Sequence, residues 1–153
     1  MILKRLIQVP QIPDMIIRRP RLLNKLITNN TKTLTLICAT AGSGKTILLS
    51  EFSSLNENTH WIQGSQLIES PELFILYFIE STRTRYSSFG YKTELFLKNS
   101  NKNLSIDDVV LVFINEFIDN ISDKITFVID DFHLIKNDDN NWLSIFLNQL
   151  LSK

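Results

Sequence analysis

Two hydrophobic spacings alternate along this chain of 153 residues. Short apolar or β-branched runs predict strands, whereas apolar residues three or four positions apart predict helices. Strands are predicted at residues 34–39, 59–63 and 125–129. Helices are predicted at residues 21–27, 46–52, 70–82, 105–121 and 142–151. Because strands alternate with helices, the pattern favours an α/β fold with a parallel sheet.

Local signals sharpen several of these elements. Ser70 followed by Pro71, and Ser105 followed by two aspartates, are typical of helix starts with a serine cap. The helix at 70–82 is apolar nearly all round and is expected to be largely buried. Residues 99–103 are polar and loop-like, and the proline-spaced residues 9–17 are expected to be extended.

The last predicted strand, ITFVI at residues 125–129, shows no alternation of polar and apolar residues. Such a run is typical of a central strand of a parallel sheet that is covered on both faces. Asp130 and Asp131 follow it directly.

Two of the four glycines in the chain lie in ATAGSGKT at residues 39–46, between a predicted strand and a predicted helix. This order leaves a row of backbone N–H groups free at the positive end of a helix, which is an anion site. Lys45 supplies a positive charge, and the Thr46 hydroxyl can bind Mg²⁺. Ala39 replaces the first glycine of the usual spacing. The candidate nucleotide-binding residues of the loop are Ala41, Gly42, Ser43, Gly44, Lys45 and Thr46.

A phosphate loop needs an acidic residue to hold the metal ion, and Asp130 at a strand end is suited to that role. Asp131 can orient or deprotonate a water molecule. The alternative is that both are polar residues where a strand leaves the sheet. The basic run Arg18-Arg19-Pro20-Arg21 has two equal interpretations, a solvated patch or a segment beside the nucleotide.

Composition excludes several classes of function. A net charge of zero argues against a general polyanion binder. The sequence contains no recognition-helix pattern with clustered basic residues, so direct DNA binding is not expected. The longest apolar runs are far shorter than the roughly 20 residues that span a bilayer. The lone Cys38 permits no internal disulfide and is expected to be a small buried residue. We therefore expect a cytoplasmic protein.

The remaining residues with ligand chemistry are expected to be structural. His60 and His133 share no spacing with a cysteine or an acid that would complete a zinc site. Trp61 and Trp142 are expected to lie in the core or on a partly covered surface.

Several stretches together resemble one family. They are, in order, IIRRPRLLNKL, LTLICATAGSGKTILLSEF, HWIQ, SPELFILYFIES and ITFVIDDFHLI. This order is similar to the N-terminal nucleotide-binding module of MalT-like, LuxR-type transcription regulators, which belong to the STAND class of P-loop NTPases. Thr40 and Ser43 depart from the residues common in that family, but neither removes a phosphate ligand.

The resemblance implies binding of ATP and Mg²⁺. The phosphates would lie at the loop, the metal ion at Thr46 and Asp130, and Asp131 would be the catalytic acid. Arg19 would lie near the adenine or ribose.

The resemblance also implies an incomplete domain, the N-terminal half to two-thirds of a P-loop NTPase fold. Residues 1–30 would form an extended segment and a helix, and residues 33–153 a βα core. Family members continue into a further strand that lies between the loop strand and the Asp130 strand, and then into helical and DNA-binding domains. Without that strand, either the two strands pair directly or a groove remains. Partners would be the missing C-terminal domains or a second copy.

The sequence thus favours an ATP-binding signalling module with weak or no hydrolysis. Two alternatives remain, a stand-alone small P-loop ATPase or kinase, and a gene remnant without function.

Overall fold

The computed structural model describes residues 2–99, 105–135 and 142–151. The helices in these ranges are α1 (Pro20–Asn29), α2 (Lys45–Leu55), α3 (Pro71–Arg83), α4 (Tyr91–Asn99), α5 (Ile106–Asn120) and α6 (Trp142–Leu151). The strands are β1 (Thr59–Gln63) and β2 (Thr126–Asp130), and two short 3₁₀ helices cover Lys4–Ile7 and Phe132–Leu134. No helix in this part of the chain is long and apolar enough to cross a membrane.

The two strands form a parallel sheet, with Thr59 opposite Thr126 at one end and Gln63 opposite Asp130 at the other. The predicted α/β class and the parallel pairing are therefore confirmed. Since the strands run in the same direction, the polar residues that end them meet at one edge of the sheet.

Helices cover both faces of this sheet. Successive side chains of a strand point to opposite faces, so each strand contributes to both packing layers. On one face Trp61 and Val128 pack against Phe52 of α2 and against partly buried leucines of α1. The other face contacts the larger core, which includes Ile62, Phe74, Phe78, Phe113 and Phe146. The layers are thus α1 and α2, then the sheet, then α3, α5 and α6.

The capped helices form as predicted. The Ser70 hydroxyl accepts a hydrogen bond from the Leu73 amide at 3.2 Å, and the Ser105 hydroxyl accepts one from the Asp107 amide at 3.2 Å. Helix α3 is largely buried, as its apolar surface predicted. Helix α4 was not predicted, and it includes Asn99, the first residue of the predicted loop. The rest of that loop, residues 100–103, lies outside the described residues.

The predicted strand at residues 34–39 is wrong. These residues form neither helix nor strand, and the side chains of Leu34 and Leu36 are 62% and 76% exposed. A strand requires a hydrogen-bonded neighbour, and the described sheet contains only β1 and β2. Cys38 is consequently exposed rather than buried. Direct pairing of this segment with the Asp130 strand does not occur.

Strand β2 begins one residue later than predicted and includes Asp130. Both of its faces are covered, as predicted, but within the described ranges it pairs on one edge only, with β1. The prediction of a central strand is therefore wrong for this part of the chain.

Candidate functional site

The glycine-containing loop ends directly at the first residue of α2. Gly42 and Gly44 have φ angles of 73° and 78°, which glycine adopts without the steric cost that other residues incur. The Ser43 amide donates a weak hydrogen bond to the Thr40 carbonyl at 3.4 Å, which closes the turn. The amide groups at the start of α2 lie at the positive end of the helix dipole. The loop therefore has the backbone geometry of an anion site.

Lys45 and Arg19 place two positive charges against this loop. The Lys45 Nζ donates to the carbonyl oxygens of Ala39 and Thr40, both at 2.9 Å. The Arg19 Nη1 donates to the Ser43 carbonyl at 2.5 Å. The Arg19 guanidinium also lies 3.6–3.8 Å from the point where a Cβ on Gly44 would be. Arg19 precedes α1, so the N-terminal segment contributes directly to the site.

The loop and the Asp130 strand meet through one hydrogen bond. The Thr46 hydroxyl donates to Oδ2 of Asp130 at 2.6 Å, although the two residues are 84 positions apart in sequence. Asp130 is only 3% exposed, so its carboxylate lies in the interior beside the start of α2. Because carboxylate and hydroxyl oxygens are the ligands that Mg²⁺ prefers, this pair can form part of a magnesium site.

Asp131 has a different partner. Its Oδ2 accepts a hydrogen bond from the Gln63 side-chain amide at 2.9 Å. Its backbone is left-handed, with φ 47° and ψ 39°, which is uncommon for a residue other than glycine. The two adjacent carboxylates therefore bond to different elements, Asp130 to α2 and Asp131 to β1.

A cavity of about 260 Å³ lies beside the loop. It is lined by the N-terminal segment and by the loop with the first turns of α2. The lining residues are Pro13, Met15, Ile16, Ile17, Arg19, Gly42, Gly44, Ile47, Leu48 and Glu51. The cavity is thus lined both by apolar side chains and by the glycine-containing loop.

The chemistry of the loop fits a phosphate group. The Ser43 hydroxyl is buried and has no hydrogen-bond partner, so it can bond to a ligand. Nothing lies within 4 Å of the point where a Cβ on Gly42 would be, so the backbone there is accessible. The donor set on this surface consists of amide, ammonium, guanidinium and hydroxyl groups, all of which bind anions.

The structure thus brings together most of the residues singled out in the sequence. Arg19, Lys45, Thr46 and the loop form one surface, and Asp130 joins it through Thr46. Asp131 lies one residue further on and bonds to Gln63. The binding and catalytic roles of these residues stay predictions.

Sequence reasoning missed Gln63 and the cavity lining. Gln63 is the polar residue at the carboxyl end of a strand, the same feature that identified Asp130, so the signal was present. Met15, Ile16 and Ile17 carried no such signal, because an extended apolar segment does not reveal what it faces.

The histidine at position 60 is structural. It is buried in β1, and its Nδ1 lies 2.8 Å from the Ser81 carbonyl oxygen. Burial lowers the pKa of His60, and this effect outweighs the hydrogen bond to Ser81, which raises it. Trp61 and Trp142 are buried in the core, as expected.

Fold and loop together define an α/β protein with a parallel sheet flanked by helices and, at a helix start, a loop with the backbone geometry of an anion site. No protein-family model matches the chain.

The chain is similar to transcription regulators. The HTH-type transcriptional regulator MalT of Yersinia pestis (strain Pestoides F) is 34% identical over 123 residues. The protein of the same name from Yersinia pseudotuberculosis serotype O:1b (strain IP 31758) has the same identity and length of match, and that of Serratia proteamaculans (strain 568) is 33% identical over 124 residues. Each match covers 78% of this chain and 13% of the regulator. The relationship is distant homology over most of this chain, which spans only 13% of the length of these relatives.

Proposed function

We propose that this chain is the ATP-binding module of a signal-transducing transcription regulator in the cytoplasm, with weak or no hydrolysis. It would bind Mg²⁺ together with ATP through the loop at residues 41–46 and the carboxylate of Asp130. At most it would be a weak ATPase.

One observation carries this proposal. The Thr46 hydroxyl donates to Oδ2 of Asp130 at 2.6 Å, at the point where the glycine-containing loop enters α2. A magnesium nucleotide requires a phosphate-binding loop and a metal-binding carboxylate side by side. The hydrogen bond joins these two motifs, which the sequence separates by 84 positions.

Each residue of the loop would have a defined task. The amides of residues 41–46 and the orphan Ser43 hydroxyl would donate to phosphate oxygens. Lys45 would exchange the carbonyls of Ala39 and Thr40 for the β- and γ-phosphates. Thr46 and Asp130 would hold Mg²⁺, which neutralises phosphate charge when it is bound.

The cavity beside the loop would take the rest of the nucleotide. Its apolar residues Met15, Ile16 and Ile17 are suited to the adenine, and Arg19, which also lines the cavity, bonds to the loop. Nucleotide would therefore connect the N-terminal segment to α2.

The role in transcription regulation rests on the relatives, which are named HTH-type transcriptional regulators. In such a regulator the nucleotide would select between conformations rather than drive turnover. The partners of this module would be further domains of the same protein or a second copy, and the module itself would not bind DNA.

The test is equilibrium titration of the purified chain with ATP, with Mg²⁺ and with EDTA. Lys45→Ala removes the charge at the loop, and the matched control Lys25→Ala removes a charge from the exposed surface of α1. We expect Lys45→Ala to weaken binding by at least about tenfold, since charge-assisted hydrogen bonds contribute about 1.5–3 kcal/mol. Lys25→Ala should bind as the wild type does.

Other outcomes identify the alternatives. Binding that does not depend on Lys45 would overturn the proposal and leave a remnant of the fold. Rapid release of phosphate or transfer to an acceptor would indicate a stand-alone enzyme instead.

A further inference from the structure

The carboxyl end of β1 carries a polar side chain that the proposed function does not use. Gln63 is the last residue of β1, and it lies opposite Asp130 in the parallel register. Its Nε2 donates to Oδ2 of Asp131 at 2.9 Å, and both residues are partly buried. The bond thus joins the end of β1 to the residue that follows β2.

The backbone around Asp131 and Gly64 holds the Asp131 side chain near Gln63. Asp131 is the one residue other than glycine in the described ranges that has a positive φ angle. Gly64, next to Gln63, donates its amide to the Asp130 carbonyl at 2.7 Å. A Cβ on Gly64 would lie only 2.2 Å from the Asp131 carbonyl oxygen, so no larger residue fits there. The close approach of these two turns therefore depends on glycine.

This geometry gives the two carboxylates different partners. Asp130 bonds to Thr46 at the loop, and Asp131 bonds to Gln63 at the end of β1. A general base must lie within hydrogen-bond reach of the water molecule that it activates. As long as Gln63 holds Asp131 against β1, the carboxylate is not free to reorient toward a water molecule at the phosphates.

We infer that Gln63 is a positioning residue that restrains Asp131 and thereby limits nucleotide hydrolysis. The inference rests on the proposed function, because it assumes that Mg²⁺ and ATP bind at the loop. The inference adds a cause for slow turnover: the hydrogen bond from the Gln63 side-chain amide to Asp131 must break before the carboxylate can activate a water molecule.

The test is steady-state ATP hydrolysis by three variants of the full chain, together with ATP titration of each. Gln63→Met keeps the length of the side chain and removes the N–H donor. Gln63→Lys keeps a donor and binds the carboxylate. Gln66→Met is the matched control, an exposed glutamine in the turn after β1.

We expect Gln63→Met to raise kcat by about three- to tenfold, the factor that corresponds to the net free energy of one hydrogen bond. The ATP dissociation constant should change by less than about twofold, because Gln63 is not among the residues proposed to bind nucleotide. Gln63→Lys and Gln66→Met should hydrolyse ATP as slowly as the wild type. If Gln63 had only a structural role, Gln63→Lys and Gln63→Met would instead change kcat in the same direction.

The outcomes separate this inference from the proposed function. If the wild type binds ATP through Lys45 but Gln63→Met has unchanged, lower or undetectable turnover, the restraint is overturned and the binding proposal stands. If the wild type shows no Lys45-dependent binding, the proposed function itself fails. A folded state for each variant is checked by circular dichroism before titration.

Discussion

At the scale of single residues, the decisive feature is that two adjacent aspartates have different partners. The strand alternation turns Asp130 toward α2, where Thr46 donates to it. Asp131 has a left-handed backbone, so the strand alternation ends before it. Its carboxylate bonds to Gln63. The sequence could predict that both are polar residues at a strand end, but not this division, because it depends on a backbone angle that aspartate adopts only in a particular context.

The Thr46 hydroxyl gives the first prediction at this scale. Thr46→Val keeps the shape of the side chain and removes the hydroxyl that bonds to Asp130. We expect the gain in ATP affinity that Mg²⁺ provides to fall by about tenfold, since a charge-assisted contact is lost. Affinity in EDTA should be nearly unchanged. The measurement is ATP titration with and without Mg²⁺.

The matched control is Thr33→Val, in the exposed segment before the loop. A Thr46→Val protein that retains the full effect of Mg²⁺ would contradict the assignment of Thr46 to the metal site.

At the scale of elements, β1 and β2 illustrate what a pattern can and cannot predict. The apolar runs predicted both strands, because a run of β-branched and aromatic residues packs well between helices. The same rule predicted a strand at residues 34–39, where Leu34 and Leu36 are exposed. The run supplies side chains that suit a strand, but a strand also needs a second strand to hydrogen-bond with its backbone. The sequence of the run does not show whether such a partner is present.

The burial of β1 gives a prediction about pH. His60 lies in β1, and burial holds its pKa below the ordinary value of 6.5. The folded state therefore binds fewer protons than the unfolded state below about pH 6.5, so the free energy of unfolding should fall as the pH decreases through that value. One such group contributes a slope of at most about 1.4 kcal/mol per pH unit. Urea denaturation at pH 8 and at pH 5.5 measures the effect.

The comparison uses His60→Gln, which keeps an amide that can donate to the Ser81 carbonyl, and His133→Gln as the matched control on an exposed residue. We expect the dependence on pH to be smaller in His60→Gln and unchanged in His133→Gln. Equal dependence in all three proteins would show that His60 does not titrate in this way.

At the scale of the whole described molecule, the segment that leads into the loop is flanked by two residues, Asn30 and Thr46, that bond to the two ends of β2. The Thr126 hydroxyl donates to Oδ1 of Asn30 at 3.0 Å at one end, and Thr46 bonds to Asp130 at the other. Between these points the segment makes no strand. The helices around the sheet could be predicted from their own periodicity, whereas this arrangement depends on contacts between residues more than 80 positions apart.

Cys38 tests that arrangement directly. Because it is exposed in the unpaired segment, we expect a thiol reagent to modify it in the native chain within about twofold of the rate in urea. Spectrophotometric titration with a disulfide reagent measures both rates, and the chain has no other cysteine to interfere. Modification that occurs only after unfolding would mean that Cys38 is buried, as the sequence predicted.

The two bonds from Lys45 to Ala39 and Thr40 have a thermodynamic consequence of their own. The Lys45 ammonium group already donates to two backbone carbonyls of the loop, which occupy the place that phosphate oxygens would take. A phosphate that draws the ammonium away would leave those carbonyls to water, so the loss of these two bonds would lower the net affinity for the phosphate. The same exchange would release the carbonyls of Ala39 and Thr40, at the end of the exposed segment, whenever a phosphate binds at the loop.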